Sequence, residues 1–272
     1  MAAGLSLDHP LPFIFGILGN LISFMVYLAP LPTFYRVCRK KSTEGFSCLP
    51  YVVALFAATL WIFYALLKPN AYLLITINTV GCIIETAYLL LFFAYASKAM
   101  KIYTAKLVLS VNLGVFGLIL VLTLFLTRGS QRVQVLGWIC MCFSVSVFVA
   151  PLSIIRLVIR TKSVEFMPFW LSFFLTISAV VWFGYGLLIK DFYVALPNVL
   201  GFIFGILQMV LYIAYKGRKG EKSNDGTLPI VAKTGTAEKA VETMHKDSVQ
   251  LSQAAGDEEK VDIRVKNNCL EV

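Results

Sequence analysis

Seven long apolar runs constrain this chain more than any other feature of it. They fall at roughly residues 12–34, 48–67, 71–97, 106–127, 133–156, 167–189 and 193–215. Each is near or above the ~20 residues that a helix needs to cross the hydrocarbon core. Backbone N–H and C=O groups find no water there, so runs of this length are helices and not barrel strands. Composition agrees, since 58% of the 272 residues are hydrophobic and only 14% are charged, against about a quarter charged in a soluble domain. The expected fold is all-α and integral to the membrane.

The connections orient the helices. Alternate loops and the last flank carry fourteen basic residues: Arg36, Arg39, Lys40 and Lys41; Lys98, Lys101 and Lys106; Arg156, Arg160 and Lys162; Lys216, Arg218, Lys219 and Lys222. The opposite loops carry four, namely Lys68, Arg128, Arg132 and Lys190. Basic residues stay cytoplasmic, so the N-terminus is expected outside and the C-terminus inside. The first run follows no basic segment and no small-residue cleavage site, which makes it a retained span and not a signal peptide. From Gly217 onward the chain is polar and holds ten of the fifteen acidic residues. A disordered cytoplasmic tail is expected over 217–272.

Several function classes fall away. The net charge of +9 comes from short connections, not from one folded basic face, so nucleic acid is not an expected partner. The six cysteines have neither zinc spacing nor the pattern of a disulfide framework, and His9 and His245 are far apart. No metal or cofactor is expected. An intramembrane enzyme lacks any histidine cluster, paired carboxylates or nucleotide-binding glycine loop. A seven-span receptor shares the topology, but it calls for no internal repeat, and this chain has one.

Sliding the chain by 121 residues aligns Gly16 with Gly137, Ser23 with Ser144, Pro30 with Pro151, Glu44 with Glu165, Trp61 with Trp182 and Tyr64 with Tyr185. After one gap the offset is 120, and Asn78 meets Asn198. Chance matching of apolar residues does not readily pair Trp, Asn, Pro and Glu in register, so the chain contains a duplication. Each unit has three spans, and a second unit of the same orientation needs one more crossing between them. The expected units are a first repeat (1–98), an inverting linker (99–132), a second repeat (133–216) and the tail (217–272). Parallel repeats of this kind are known among transporters.

Asn78 and Asn198 each bring an amide donor and acceptor into an apolar helix, suited either to sugar hydroxyls or to holding helices together. Trp61 and Trp182 offer flat faces for a sugar ring, or serve as interfacial belt residues. Ser23, Val26, Pro30 and Ser144, Val147, Pro151 repeat one spacing that places each trio on one helix face. Ala57 and Ser178 lie one turn before the tryptophans. Glu85 is the one acid well inside a span, where a carboxylate is by default a functional candidate. It has no partner in the second unit, where Gly205 aligns, and it reads as structural more than as a proton-coupling group.

These residues closely resemble the plant SWEET, or nodulin-saliva, sugar transporters. The stretches that carry the resemblance include Ala-Pro-Leu-Pro-Thr-Phe (29–34), Lys-Ser-Thr-Glu-Gly-Phe (41–46), Ile-Asn-Thr-Val-Gly-Cys (77–82), Lys-Ser-Val-Glu-Phe-Met-Pro (162–168) and Ala-Leu-Pro-Asn-Val-Leu-Gly (195–201). The resemblance covers about residues 10–216. It implies a uniporter without energy coupling, carrying sugar in either direction across the plasma membrane (or an internal one such as the vacuolar) as a homo-oligomer. Segments 143–148 and 190–198 look like the branch preferring sucrose over glucose or fructose. It further implies a sugar pocket of Ser23, Val26, Ala57, Trp61, Asn78, Ser144, Val147, Ser178, Trp182 and Asn198, with Ala57 standing where the pattern has serine. Pro30, Pro50, Pro151 and Pro168 would be hinges, and Tyr64, Lys68 and Asp191 would close the outer mouth.

Overall fold

The computed structural model describes residues 10–164, 167 and 169–216, and every regular element among them is helical. Seven helices are long and apolar enough to cross a membrane: α1 (Pro10–Lys40), α2 (Leu49–Leu67), α3 (Tyr72–Tyr95), α4 (Lys98–Leu126), α5 (Ser130–Thr161), α6 (Phe169–Leu188) and α7 (Phe192–Tyr215). The tail expected from Gly217 lies outside the described residues, as does Pro168.

Three helices run well past their apolar runs. α4 starts at Lys98 because the Ser97 side chain caps it, accepting from Met100 N at 3.4 Å; its first turns carry lysines and so escape an apolar reading. α1 extends to Lys40 and α5 to Thr161 through amphipathic turns. Phe34 and Val37, like Ile155 and Val158, are buried on one side of these turns, while Arg36, Arg39 and Arg160 are exposed on the other. A π-helical stretch interrupts α4 at Leu109–Val115.

α1 and α5 break at nearly the same point of the repeat. α1 consists of Pro10–Tyr27 and Leu31–Lys40, and α5 of Ser130–Ser146 and Val149–Thr161. Ala29 N reaches only Val26 O, at 3.0 Å, and the equivalent Ala150 N reaches only Val147 O, at 3.3 Å. Pro30 ends the α1 ladder, because it has no N–H to give. Pro151 is the third residue of the second α5 segment. Pro50 is the second residue of α2, where the missing N–H has no helical partner in any case. Pro197, which no sequence pattern singled out, lies inside α7.

The duplication extends to the backbone. Lys41 (φ 49°) and Lys162 (φ 52°) end α1 and α5 in the left-handed region, and Asn70 (φ 61°) and Lys190 (φ 52°) adopt it just before α3 and α7. Side chains with a Cβ disfavour that region, yet both copies use it at matched positions. Gly16 and Gly137 are matched in the same sense. A Cβ on Gly16 would collide with the Leu73 side chain, and one on Gly137 with that of Tyr193, the residue equivalent to Leu73. Small residues let α1 meet α3, and α5 meet α7, at close range.

Within the first repeat α3 lies between α1 and α2; within the second, α7 lies between α5 and α6. Across the repeats, the first segment of α1 packs on α6, and α2 packs on the first segment of α5. Six helices thus form a ring, with α4 outside it against α2, α3 and α5. Both repeats share a core of Phe56, Leu60, Tyr64, Leu136, Cys140, Trp182 and Tyr185. A second core, around Phe34, Val52, Tyr88 and Phe92, belongs to the first repeat and the start of α4. The second segments of α1 and α5, at the basic end of the bundle, find their main partners in α3 and α7 of their own repeats.

Candidate functional site

A cavity of about 370 Å³ lies between the repeats, within the range of about 300–1,000 Å³ usual for small-molecule sites. All six ring helices line it and α4 does not. α1 gives Ser23, Val26 and Tyr27, α2 gives Trp61, and α3 gives Leu74, Ile77 and Asn78. α5 gives Ser144 and Phe148, α6 gives Leu175, Ser178 and Trp182, and α7 gives Val194, Pro197 and Asn198.

The two asparagines are held alike. Asn78 Nδ2 donates to Leu74 O at 2.8 Å, and Asn198 Nδ2 donates to Val194 O at 2.7 Å. Each bond returns one N–H to the helix's own preceding turn. Each amide therefore keeps Oδ1 and a second N–H for whatever occupies the cavity.

The tryptophans are matched in one contact and differ in another. Trp61 meets Tyr64 edge-on at 5.5 Å and 87°, and Trp182 meets Tyr185 at 5.3 Å and 85°. Trp182 Nε1 also donates to Ser23 Oγ at 2.9 Å. Gly19 makes room for that indole, since a Cβ there would lie 2.9 Å from it. Among the described residues no bond joins Trp61 to Ser144 in the same way, so this indole N–H and this hydroxyl stay available in the cavity wall.

An ion pair joins the two repeats. Asp191 Oδ2 accepts from Tyr64 Oη at 2.7 Å and lies 3.0 Å from Lys68 Nζ. Its Oδ1 accepts from Tyr193 N at 3.0 Å and Val194 N at 3.3 Å, capping α7. The carboxylate is wholly buried, whereas the Lys68 side chain keeps 22% exposure. A buried charge is tolerated when its lone pairs are filled this way. The three residues equivalent to Tyr64, Lys68 and Asp191 are Tyr185, Ile189 and Ala71, so only one such clasp is built.

The structure thus gathers Ser23, Val26, Trp61, Asn78, Ser144, Ser178, Trp182 and Asn198 around one cavity, and brings Tyr64, Lys68 and Asp191 together in a separate cluster between the repeats. Ala57 and Val147 are not among the lining residues. The Pro10–Tyr27 segment includes Val26, but the matching α5 segment stops at Ser146, so Val147 falls in the turn and is 43% exposed. Conversely, Tyr27, Leu74, Ile77, Phe148, Leu175, Val194 and Pro197 line the cavity without having been singled out. The offset pairs Tyr27 with Phe148, Leu74 with Val194 and Ile77 with Pro197, so the register that found the asparagines also reaches these.

Glu85 lies off the cavity, on α3. It is buried, and among the described residues its Oε2 has no hydrogen-bond partner. The equivalent Gly205 leaves no open room for a counterpart in the second repeat, because a Cβ there would meet Thr176 Oγ1.

Comparison with known proteins gives concordant matches. A family described as "Sugar efflux transporter for intercellular exchange" matches residues 13–100 and again 134–220. The bidirectional sugar transporter SWEET13 of Oryza sativa subsp. japonica is 58% identical over 268 residues, covering 93% of this chain and 90% of the relative. SWEET13 of Arabidopsis thaliana is 60% identical over 220 residues, covering 78% and 75%. A solved structure of a eukaryotic SWEET transporter is similar with a TM-score of 0.72 at 35% identity, covering 78% of this chain and 99% of that one.

Proposed function

This chain belongs to the SWEET family of sugar transporters, and we propose that it carries sucrose, with hexoses beside it, down their gradients in either direction by alternating access. Two amides and two indoles, paired by the duplication about one cavity, carry this reading. The amides suit vicinal hydroxyls, and the indoles suit the C–H faces of a sugar ring. Among the described residues no Asp, Glu, Lys or Arg lines the cavity, which supports uniport. Affinity in the millimolar range, about −4 kcal/mol, lets sugar enter without trapping it.

On this reading the clasp of Tyr64, Lys68 and Asp191 closes the outer mouth, while at the basic end the second segments of α1 and α5 pack within their own repeats. This is the arrangement of a carrier open on one side. The positive-inside rule makes the open side the cytoplasm and the closed side the exterior, with the plasma membrane as the site of action. Labelled sugar in proteoliposomes tests the proposal. Sucrose and glucose should equilibrate without being concentrated, and preloaded vesicles should release them without a pH gradient. Asn78→Ala should abolish both fluxes. No flux of either sugar would refute transport. Accumulation that collapses with a protonophore would refute uniport and direct attention to Glu85.

A further inference from the structure

The two hinges of the duplicated fold differ in what holds them. At the α1 break the carbonyl of Tyr27 has lost both helical donors: Pro30 has no N–H, and Leu31 N bonds Leu28 O at 3.0 Å. A carbonyl left unpaired in an apolar bundle is costly. Tyr88 of α3 fills it, its Oη donating to Tyr27 O at 3.0 Å. The Tyr88 ring is buried and stacks on Phe34 of the second α1 segment, with centroids 4.4 Å apart and planes 11° from parallel. On the other side of the break, Asn20 Nδ2 donates to Leu73 O of α3 at 2.9 Å, and Thr76 Oγ1 donates to Asn20 Oδ1 at 2.8 Å. α1 is therefore tied to α3 both beyond its hinge and at it.

The second repeat uses neither tie. Tyr27 aligns with Phe148, Tyr88 with Gln208 and Asn20 with Met141. The Phe148 carbonyl keeps a helical donor, Leu152 N at 3.0 Å. Gln208 turns to α6, its Oε1 accepting from Ser172 Oγ at 3.1 Å. Met141 has no polar hydrogen to give.

We infer that Asn20 and Tyr88 are positioning residues that fasten α1 to α3, so that the first repeat moves as one body and the α5 hinge carries the bending that opens and closes the basic end. The inference rests on the alternating-access proposal. Neither residue lines the cavity, so each acts on transport through helix geometry and not through contact with sugar.

Spin labels read the two hinges separately. Arg39 and Ala94 lie exposed near the basic ends of α1 and α3, and Arg160 and Ala214 are their equivalents on α5 and α7. Distances within each pair are measured by pulsed electron resonance in the full chain in lipid nanodiscs, native cysteines replaced, with and without sucrose. The first pair should give one narrow distance that sucrose leaves unchanged; the second should be broad and should shift. Tyr88→Phe, which keeps the ring and its stacking, should broaden the first pair and leave the second as it was. It should change maximal sucrose flux by about two- to tenfold, the range for one neutral hydrogen bond, with KM nearly constant. Equal widths for the two wild-type pairs would overturn the inference, as would a first pair indifferent to Tyr88→Phe. The wild-type comparison requires no variant to fold. Because it is also made without sugar, it is independent of whether sucrose is the sugar carried.

Discussion

Asp191 performs two tasks on one carboxylate, and substitution separates them. Asparagine keeps an oxygen for the N–H groups of Tyr193 and Val194 but removes the charge that Lys68 meets; alanine removes both. Loss of an N-cap costs about 1 kcal/mol, so Asp191→Ala should melt below Asp191→Asn, and both below the parent, in a detergent melting assay. Equal melting of the two variants would mean that the cap adds nothing. The valines are a second case. Val26 lines the cavity and Val147 stands in the α5 turn, so Val26→Leu should depress sucrose uptake more than glucose uptake, and Val147→Leu should do so less. Equal effects at matched surface expression would mean that both valines narrow the path during the cycle. Val147 also shows where the sequence misleads. Steps of three and four residues place both valines on inner faces only while the helix continues, and the first α5 segment ends two residues earlier in the repeat than that of α1. Asn20 and Tyr88 escaped notice for the opposite reason: a search for doubled residues cannot find what occurs once.

The break in α1 is a property of the element and not of one contact. Alanine at position 30 restores an N–H that can reach Val26 O and favours a continuous helix, whereas glycine restores the N–H without favouring the helix. Pro30→Ala should therefore slow sugar exchange more than Pro30→Gly at equal surface expression; the reverse order would place the importance of Pro30 in ring packing. The number and order of helices were legible because apolar runs bounded by charged loops have few other solutions. Their ends were not. Ser97 starts α4 within a lysine-bearing stretch, and the amphipathic last turns of α1 and α5 bury one face while showing arginines on the other. The π-helical stretch of α4 had no signal in the pattern of apolar residues.

For the molecule as a whole, orientation is the first quantity to settle. With fourteen basic residues on one set of connections and four on the other, an epitope tag at the C-terminus should be protected in intact cells and one at Ala2 accessible. Finding both on one side would contradict an odd number of crossings. The approximate symmetry of the cavity was legible in the sequence once the two units were aligned, since a duplicated helix bundle places matched residues across a common axis. The clasp of Tyr64, Lys68 and Asp191 was not derivable that way, because it has no second copy. Only the resemblance pointed to it.

α4 contributes nothing to the cavity wall, and that absence bears on how the protein could be made. Val111, Phe116, Ile119 and Leu120 of α4 pack on the shared core, and its firmer contacts are with α2. The helix therefore travels with the first half of the chain, and the short segment at 127–129 serves as a tether. Two polypeptides, one ending and the other beginning within that segment, should find each other in the bilayer through the α1–α6 and α2–α5 surfaces. Co-expressed in one cell, they should restore sugar uptake that neither gives alone, and each should purify with the other. Silence from a co-purifying pair would mean that the tether does more than connect, holding the halves in a register that their own surfaces do not select.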